Sequence, residues 1–423
     1  MSETDEQGVR LTVAALGHRG EGVVTHGGVQ HYLAHTAPGD EVQIDFAAGK
    51  PKNWTLTVAG PDRVTPPCRH FSTCGGCALQ HLSDRFVAGW KAEQIARALR
   101  HRGIGEVDIR PIVTVPAASR RRVSFTARMI AGQVTLGFQA ARSHRLVAVE
   151  RCEILSADIA AALPGLRQLA GLLLSEGGRK KKSDVRISVN DTDTGLDILL
   201  LADGIDEFAI LPPLTERAAA LPKLARLSLN DTLVMCPHPP VMRFGAVSVT
   251  PPPGAFLQAS GAGETALRGL VLEALGSARR IADLFAGCGT FSFPAAAGAQ
   301  LVAVEGDAAM VSALDHAARH ARGIRKFKAV RRDLFRSPLS VDELKPFEAV
   351  IFDPPRAGGV AQVSQIAASA VRRVAAVSCA PATFARDARI LVDGGFRLNW
   401  VAPVDQFRWS SHIELAAEFT RPD

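Results

Sequence analysis

The chain has 423 residues with 49 Lys and Arg against 42 Asp and Glu, a net charge of +7, and it is 47% hydrophobic and 22% charged. At roughly 100 to 200 residues per domain this predicts two to four compact domains, and the composition excludes a disordered acidic chain, a disulfide-stapled peptide and a membrane protein. The longest apolar run, 284–299, is interrupted by three Gly and a Pro and is too short for a bilayer. The acidic start, 1–7, lacks the apolar core of a secretory signal, so a cytoplasmic protein without membrane attachment is expected; it is also expected to be a monomer.

From 11 to 46 short alternating apolar stretches are broken by Gly17, Gly20, Gly22, Gly27 and Gly28, the pattern of a small β-barrel. Residues 62–67 read as a connector into Cys68, Cys74 and Cys77, spaced C-x5-C-x2-C with Gly75 and Gly76 letting the loop curl. With seven cysteines and no export signal, structural disulfides are not expected. Three thiolates need a fourth ligand, and Cys152 is the other cysteine of the N-terminal half. Zinc and a [4Fe–4S] cluster both suit such a set, with His70 and His81 as substitute zinc ligands, and buried unligated thiols are the bland alternative.

Helical spacing follows over 86–102 with Ser83 as N-cap, then strand alternation over 122–151 around Gly132 and Gly137. A mixed helix and strand segment over 158–233 ends in proline-rich stretches that place a domain boundary near 254. Basic runs at 120–122 with Arg128, at 179–186 and at 322–332 favour a polyanionic partner such as RNA, although each alone reads as a solvated face.

Beyond 254 the pattern turns to βα repeats: a helix over 262–275 and strands at 280–285, 300–305, 328–330, 349–353 and 374–378, hence a parallel α/β sheet. The turn Phe285-Ala286-Gly287-Cys288-Gly289-Thr290 ends the first strand where such sheets bind ligands, but position 292 is Ser, so the three-glycine dinucleotide fingerprint is not met. Asp283, Glu305, Asp333 and Asp353 close four successive strands, a row suited to the ribose, adenine and sulfonium of S-adenosylmethionine, with a nicotinamide enzyme as the competing reading. Cys379 follows an apolar strand and precedes a helix over 383–391 whose N-terminus can activate a thiol. Glu414 lies between Ile413 and Leu415, and apolar neighbours would raise its pKa and suit it to accept a proton, unless it faces solvent.

The loop C-G-G-C-A-L-Q-H (74–81) with Cys68 and Cys152, D-P-P-R (353–356), S-C-x-P-x-T (378–383) and H-I-E (412–414) together resemble the iron–sulfur RNA uracil C5-methyltransferases. G-H-R-G-E-G-V (17–23) and A-P-G-D-E-V (37–42) resemble a TRAM domain, and R-R-R-V-S-F (120–125), G-F (137–138) and S-H-R-L-V-x-V-x-R-C (143–152) the family's central domain, most like its 23S ribosomal RNA members. The resemblance implies an OB-like TRAM barrel over 1–61, a central α+β domain with the iron–sulfur loop over 62–254, and a Rossmann-like class I methyltransferase domain over 255–423. It implies Cys379 as nucleophile, Glu414 as base, and a [4Fe–4S] cluster on Cys68, Cys74, Cys77 and Cys152. Cofactor contacts would fall on Gln258, Phe285, Thr290, Glu305, Asp333 and Asp353. The chain departs from the family's pattern at Ala376, Ala380, Arg408, Trp409 and Ser260, which bears on substrate positioning, and Trp409 is a candidate to stack on a base.

On this reading the substrate is RNA, 23S rRNA first and tRNA as the alternative, and the thiol adds to uracil C6 so that C5 can take a methyl group. Asp353 is placed to hold the uracil edge, and the basic runs to supply phosphate contacts. A cytosine C5-methyltransferase would carry a cysteine in the proline motif, which Asp353-Pro354-Pro355-Arg356 lacks. A non-catalytic iron–sulfur RNA-binding protein is the alternative from another class.

Overall fold

The computed structural model describes residues 6–176 and 184–422, so the basic run at 179–186 lies mostly outside the described residues. Two compact units are present, one of Met1–Gln94, Phe138–Val147 and Trp409–Ser411, the other of Ile95–Gly137, Ala148–Arg408 and His412–Asp423.

In the first unit, alternation puts Val24, Leu33, Val42, Ile44 and Phe46 inside a common core. Two antiparallel three-stranded sheets carry them, Glu6–Thr12 with Glu41–Ala47 and Lys50–Val58, and Ala15–Leu16 with Gly22–His26 and Val29–Leu33. Gly27 and Gly28, both at positive φ (56° and 79°), form the two-residue turn that lets His26 pair with Val29. The A-P-G-D segment is a latch. Buried Asp40 accepts the N–H groups of Ala37 (2.6 Å) and Gly60 (2.8 Å) and the Nε of Arg63 (2.9 Å), and these donors hold its carboxyl below the usual range although burial opposes them.

The cysteine loop is shaped by backbone hydrogen bonds. Cys68 N–H donates to the buried Gln80 Oε1 (3.1 Å), Cys74 N–H to His70 O (2.7 Å) and Gly75 N–H to Gln139 O (3.0 Å). A Cβ on Gly75 would lie 2.8 Å from that Gln139 oxygen, so only glycine passes there. Ala78 and Leu79 both donate to the carbonyl of Trp409, whose indole is buried and whose φ is 60°. Trp409 is thus part of the interior, which removes it as an exposed platform for a base. Ser83 caps its helix as expected, accepting Phe86 N–H at 3.2 Å.

In the second unit, the strands Arg122–Ile130, Val185–Thr192, Gly195–Leu201, Leu224–Leu229 and Thr232–Met235 are neighbours in that order in one sheet. The helix Ala157–Glu176 packs on it and on the helix Glu207–Ala218. Residues Ala157–Ser175 are long and apolar enough to span a membrane by composition. Their Ile159, Leu163, Leu166, Leu169 and Leu173 are buried here.

The second sheet of this unit positions the site. Its order is Phe327–Arg331, Gln300–Glu305, Arg280–Leu284, Ala349–Phe352, Arg373–Ser378, Glu414–Thr420, Arg397–Asp405, with Asp108–Ile109 at the edge. The first five are parallel and Glu414–Thr420 is antiparallel to Arg373–Ser378. Parallel strands covered on both faces read as continuous apolar runs, and Ala349, Val350, Ile351 and Phe352 are all buried. The chain leaves the central strand Arg280–Leu284 in one direction and returns on its other side at Ala349. The crevice where the order reverses, at the carboxyl ends of the strands, is where such sheets receive ligands.

Candidate active site

The glycine turn after Leu284 forms one wall of the crevice. Phe285 adopts φ 64° and Gly287 φ 54°, and a Cβ added to Gly287 would meet no atom within 4 Å, so the backbone there is open to a ligand. Glu305 Oε2 accepts Gly287 N–H (2.9 Å) and its Oε1 accepts Asp307 N–H (2.9 Å), which leaves further lone pairs for a diol. Asp333 Oδ1 accepts Phe335 N–H (2.9 Å), and the Phe335 ring lies 5.3 Å from that of Phe285, an aromatic edge beside the third strand. Thr290 lies half-buried in the turn after Gly289.

Deeper in, Asp283 is buried, with Ser292 Oγ donating to its Oδ2 and its Oδ1 without a hydrogen-bond partner. Burial pushes its carboxyl up to about 8, with the charges of Asp353 and Glu305 adding to the effect. A glycine turn, a row of carboxylates and an orphaned buried oxygen suit a cationic, hydroxyl-rich ligand, so the residues present fit S-adenosylmethionine.

Cys379 lies just past the strand Arg373–Ser378, where the helix Pro381–Asp393 begins. The Thr383 hydroxyl is shared between Ala380 O (3.0 Å) and Arg356 O (3.2 Å), tying the cysteine turn to the D-P-P-R turn. The helix is expected from the sequence to activate the thiol, and the structure corrects that. Burial pushes Cys379 up to about 11, Glu414 and Asp353 push the same way, and Arg356 only partly opposes them. Desolvation raises Asp353 to about 7.

Glu414 opens its strand opposite Val404 and is buried, not solvent-facing. Burial and Asp353 raise it to about 8, with Gln406 and Arg122 opposing. Gln406 Nε2 donates to Glu414 Oε2 (3.0 Å) and to Gln258 Oε1 (2.6 Å), while its Oε1 accepts Ala259 N–H (2.9 Å). The structure therefore gathers Gln258, Asp353, Cys379 and Glu414 at one end of the crevice. Sequence reasoning gave no role to Gln406, because its partner Gln258 lies 148 positions away in the chain.

The basic runs are partly absorbed by the fold. Arg121 pairs with buried Glu264 and donates to Gln258 O (3.0 Å), Arg128 forks onto Asp184 (2.6 Å on each arm), and Arg332 pairs with Glu343. Arg122 lies over the Phe256 ring at 4.2 Å, and Phe256 is 56% exposed, which leaves its outer face for stacking.

In the cysteine loop, Gly76 N–H donates to Cys74 Sγ (3.4 Å). Burial raises the Cys74 thiol, the Gly76 donor opposes this, and a charge on Cys68 would raise it further, so these two sulfurs feel each other. Thiols with backbone donors fit a thiophilic metal in kind, although among the described residues no group of three or more His, Cys, Asp or Glu is close enough to hold one. His81 is buried against Phe71 and bonded to Thr36 O (3.0 Å), and burial lowers it to about 4.

Residues 254–421 match the family model described as tRNA (Uracil-5-)-methyltransferase. An uncharacterized RNA methyltransferase of Rhizobium meliloti is 41% identical, over 96% of this chain and 98% of its own length. The 23S rRNA (uracil(1939)-C(5))-methyltransferase of Nitrosococcus oceani is 30% identical, over 97% of this chain and 95% of its own. The chain belongs to the RNA uracil-5-methyltransferase family. The fold of this methyltransferase agrees with that assignment. It matches the Pyrococcus abyssi tRNA (uracil-54, C5)-methyltransferase bound to S-adenosyl-L-homocysteine with a TM-score of 0.73, over 97% of this chain and 99% of that one, at 21% identity.

Proposed function

We propose that this enzyme methylates C5 of a uridine in 23S rRNA, with Cys379 as nucleophile and Glu414 as the acceptor of the C5 proton. The observation that carries the reading is the grouping, at the carboxyl end of the sheet, of the half-buried Cys379 thiol and Asp353 with the buried Glu414, whose carboxylate is held by Gln406. The choice of RNA is supported by the relative from Nitrosococcus oceani and by the sequence resemblance. An RNA substrate of this kind goes with an enzyme of the cytoplasm.

Uracil C5 is a weak nucleophile, and sulfur addition at C6 is what activates it. The Cys379 thiol loses its proton to solvent as its Sγ bonds to C6, moving the C5=C6 electron pair toward C5 and the O4 enolate. Asp353, half-protonated near pH 7, can donate to that oxygen. S-adenosylmethionine, when bound, supplies the electrophilic methyl group and leaves as the neutral thioether. Glu414, ionised, takes the C5 proton; the C5=C6 bond re-forms, the C6–S bond breaks, and the expelled thiolate is reprotonated. Gln258, Phe285, Thr290, Glu305, Asp333 and Asp353 are the residues assigned to the cofactor.

The cysteine loop with Cys152 is assigned a [4Fe–4S] cluster, on the strength of spacing, resemblance and the thiol environment at Cys74. Since methyl transfer moves no net electrons, its role is to shape the RNA-binding surface. Residues 1–61 are read as a TRAM domain that contacts RNA backbone, 62–254 as the central domain and 255–423 as the methyltransferase domain. Labelled cofactor with total RNA, followed by mapping of the modified nucleoside, should yield 5-methyluridine at one position of 23S rRNA. Label confined to tRNA, or in cytidine, would overturn the assignment. Iron and acid-labile sulfide in equal amounts should accompany the purified chain.

A further inference from the structure

Gln406 lies just past the strand Arg397–Asp405 and is buried, as are Gln258 and Glu414. Its orientation is fixed by its own hydrogen bonds. Ala259 N–H can only be met by an acceptor, which assigns Oε1 to that side and turns Nε2 inward. The two N–H groups of that nitrogen then meet two acceptors, Gln258 Oε1 and Glu414 Oε2. A Cβ on Gly263 would lie 2.8 Å from Gln406 Cβ and 3.1 Å from its Oε1, so the helix N-terminus closes over this amide and holds it in place.

We infer that Gln406 is a positioning residue that orients the proton-accepting carboxylate of Glu414 and locks it to the Gln258 amide assigned to the cofactor. The inference rests on the reading of Glu414 as the base. A donor on Oε2 favours the ionised carboxylate, which is the form that can accept a proton. It also occupies that oxygen, so the C5 proton is received on Oε1. The same nitrogen fixes Gln258, so placement of the base and of the cofactor share one side chain.

The charged groups around Glu414 are Asp353, whose charge opposes its ionisation, Arg122, which favours it, and Cys379, whose thiolate would oppose it. Gln406 is the neutral donor among them. Removing the donor raises the carboxyl further, so the pH at which the rate reaches its plateau moves up.

The test uses the full-length enzyme, labelled S-adenosylmethionine and a 23S rRNA fragment that the wild type methylates. Gln406→Met keeps the volume and removes all three hydrogen bonds. Gln406→Glu keeps an acceptor for Ala259 N–H and loses both donations, so it decides the matter if the first variant does not fold. The acid limb of kcat should move up by about one pH unit in Gln406→Met, the loss of one hydrogen bond to a charged group, and further in Gln406→Glu. KM for S-adenosylmethionine should rise several-fold in both. A lowered kcat with an unmoved acid limb overturns the inference, because a merely structural role would give that result. Glu414→Gln separates the two levels. If it still turns over normally, the base assignment fails and this inference with it. If it loses the acid limb while both Gln406 variants keep theirs, only the role of Gln406 fails.

Discussion

Cys379 and Cys74 carry the same thiol in two different environments. Cys379 is half-buried beside two carboxylates and is pushed up to about 11, so its thiolate is disfavoured until a substrate arrives to share the charge. Cys74 is half-buried in a glycine loop where a backbone N–H points at its sulfur. The first environment suits a sulfur that bonds reversibly to carbon, since a poorly stabilised thiolate is nucleophilic, and expulsion is driven by re-forming the uracil double bond. The second suits a sulfur held by a metal, which itself favours the deprotonated form. A cysteine's role is thus set by what surrounds the sulfur, and the two regions can be taken apart by substitution.

The largest contrast is between Cys379→Ala and Cys74→Ala. Assayed with labelled cofactor, the first should abolish methylation and keep its iron; the second should lose iron and retain measurable methylation of saturating RNA. Methylation at the normal rate by Cys379→Ala would erase the distinction. Glu414→Gln comes next. Its turnover should fall about 10²- to 10⁴-fold, the usual worth of a positioned base, while a Cys379-linked RNA adduct builds up on denaturing gels. The acid limb of kcat, which should lie at about 8 in the wild type if Glu414 is the base, should vanish in this variant. The smallest effect is expected from Arg356→Gln. Arg356 lowers the Cys379 thiol against the two carboxylates, so its loss should slow adduct formation at fixed pH by no more than about tenfold, the worth of one pKa unit, with no change in iron content.

Much of the methyltransferase domain was legible in the sequence. The strand expected at 300–305 is Gln300–Glu305, and those at 349–353 and 374–378 differ by a residue at one end. Parallel strands covered on both faces are continuous apolar runs, and their acidic carboxyl ends stand out for that reason. Glu414 was only half legible: its apolar neighbours suggested burial, a solvent-facing strand position competed with that, and the structure buries it. What the sequence hid depends on distant partners. Gln406 acquires its role from Gln258, 148 positions away. Arg121 and Arg128 read as RNA-facing charges until Glu264 and Asp184 are brought beside them. The helix after Cys379 suggested an activated thiol, but burial and carboxylates from two other strands push the thiol up, which spacing along the chain does not show. Trp409 looked free to stack on a base and is instead enclosed, its carbonyl holding Ala78 and Leu79.

The central claim, a covalent bond between Cys379 and the pyrimidine, is tested most directly with RNA carrying 5-fluorouridine at the methylated position. Fluorine at C5 cannot leave as a proton does, so Glu414 has nothing to remove and the complex stalls after methyl transfer. Mass spectrometry of the digested complex should find the methylated fluorouridine attached to the peptide containing Cys379. An active enzyme that binds this RNA and yields no adduct, or one attached to another residue, would contradict the account.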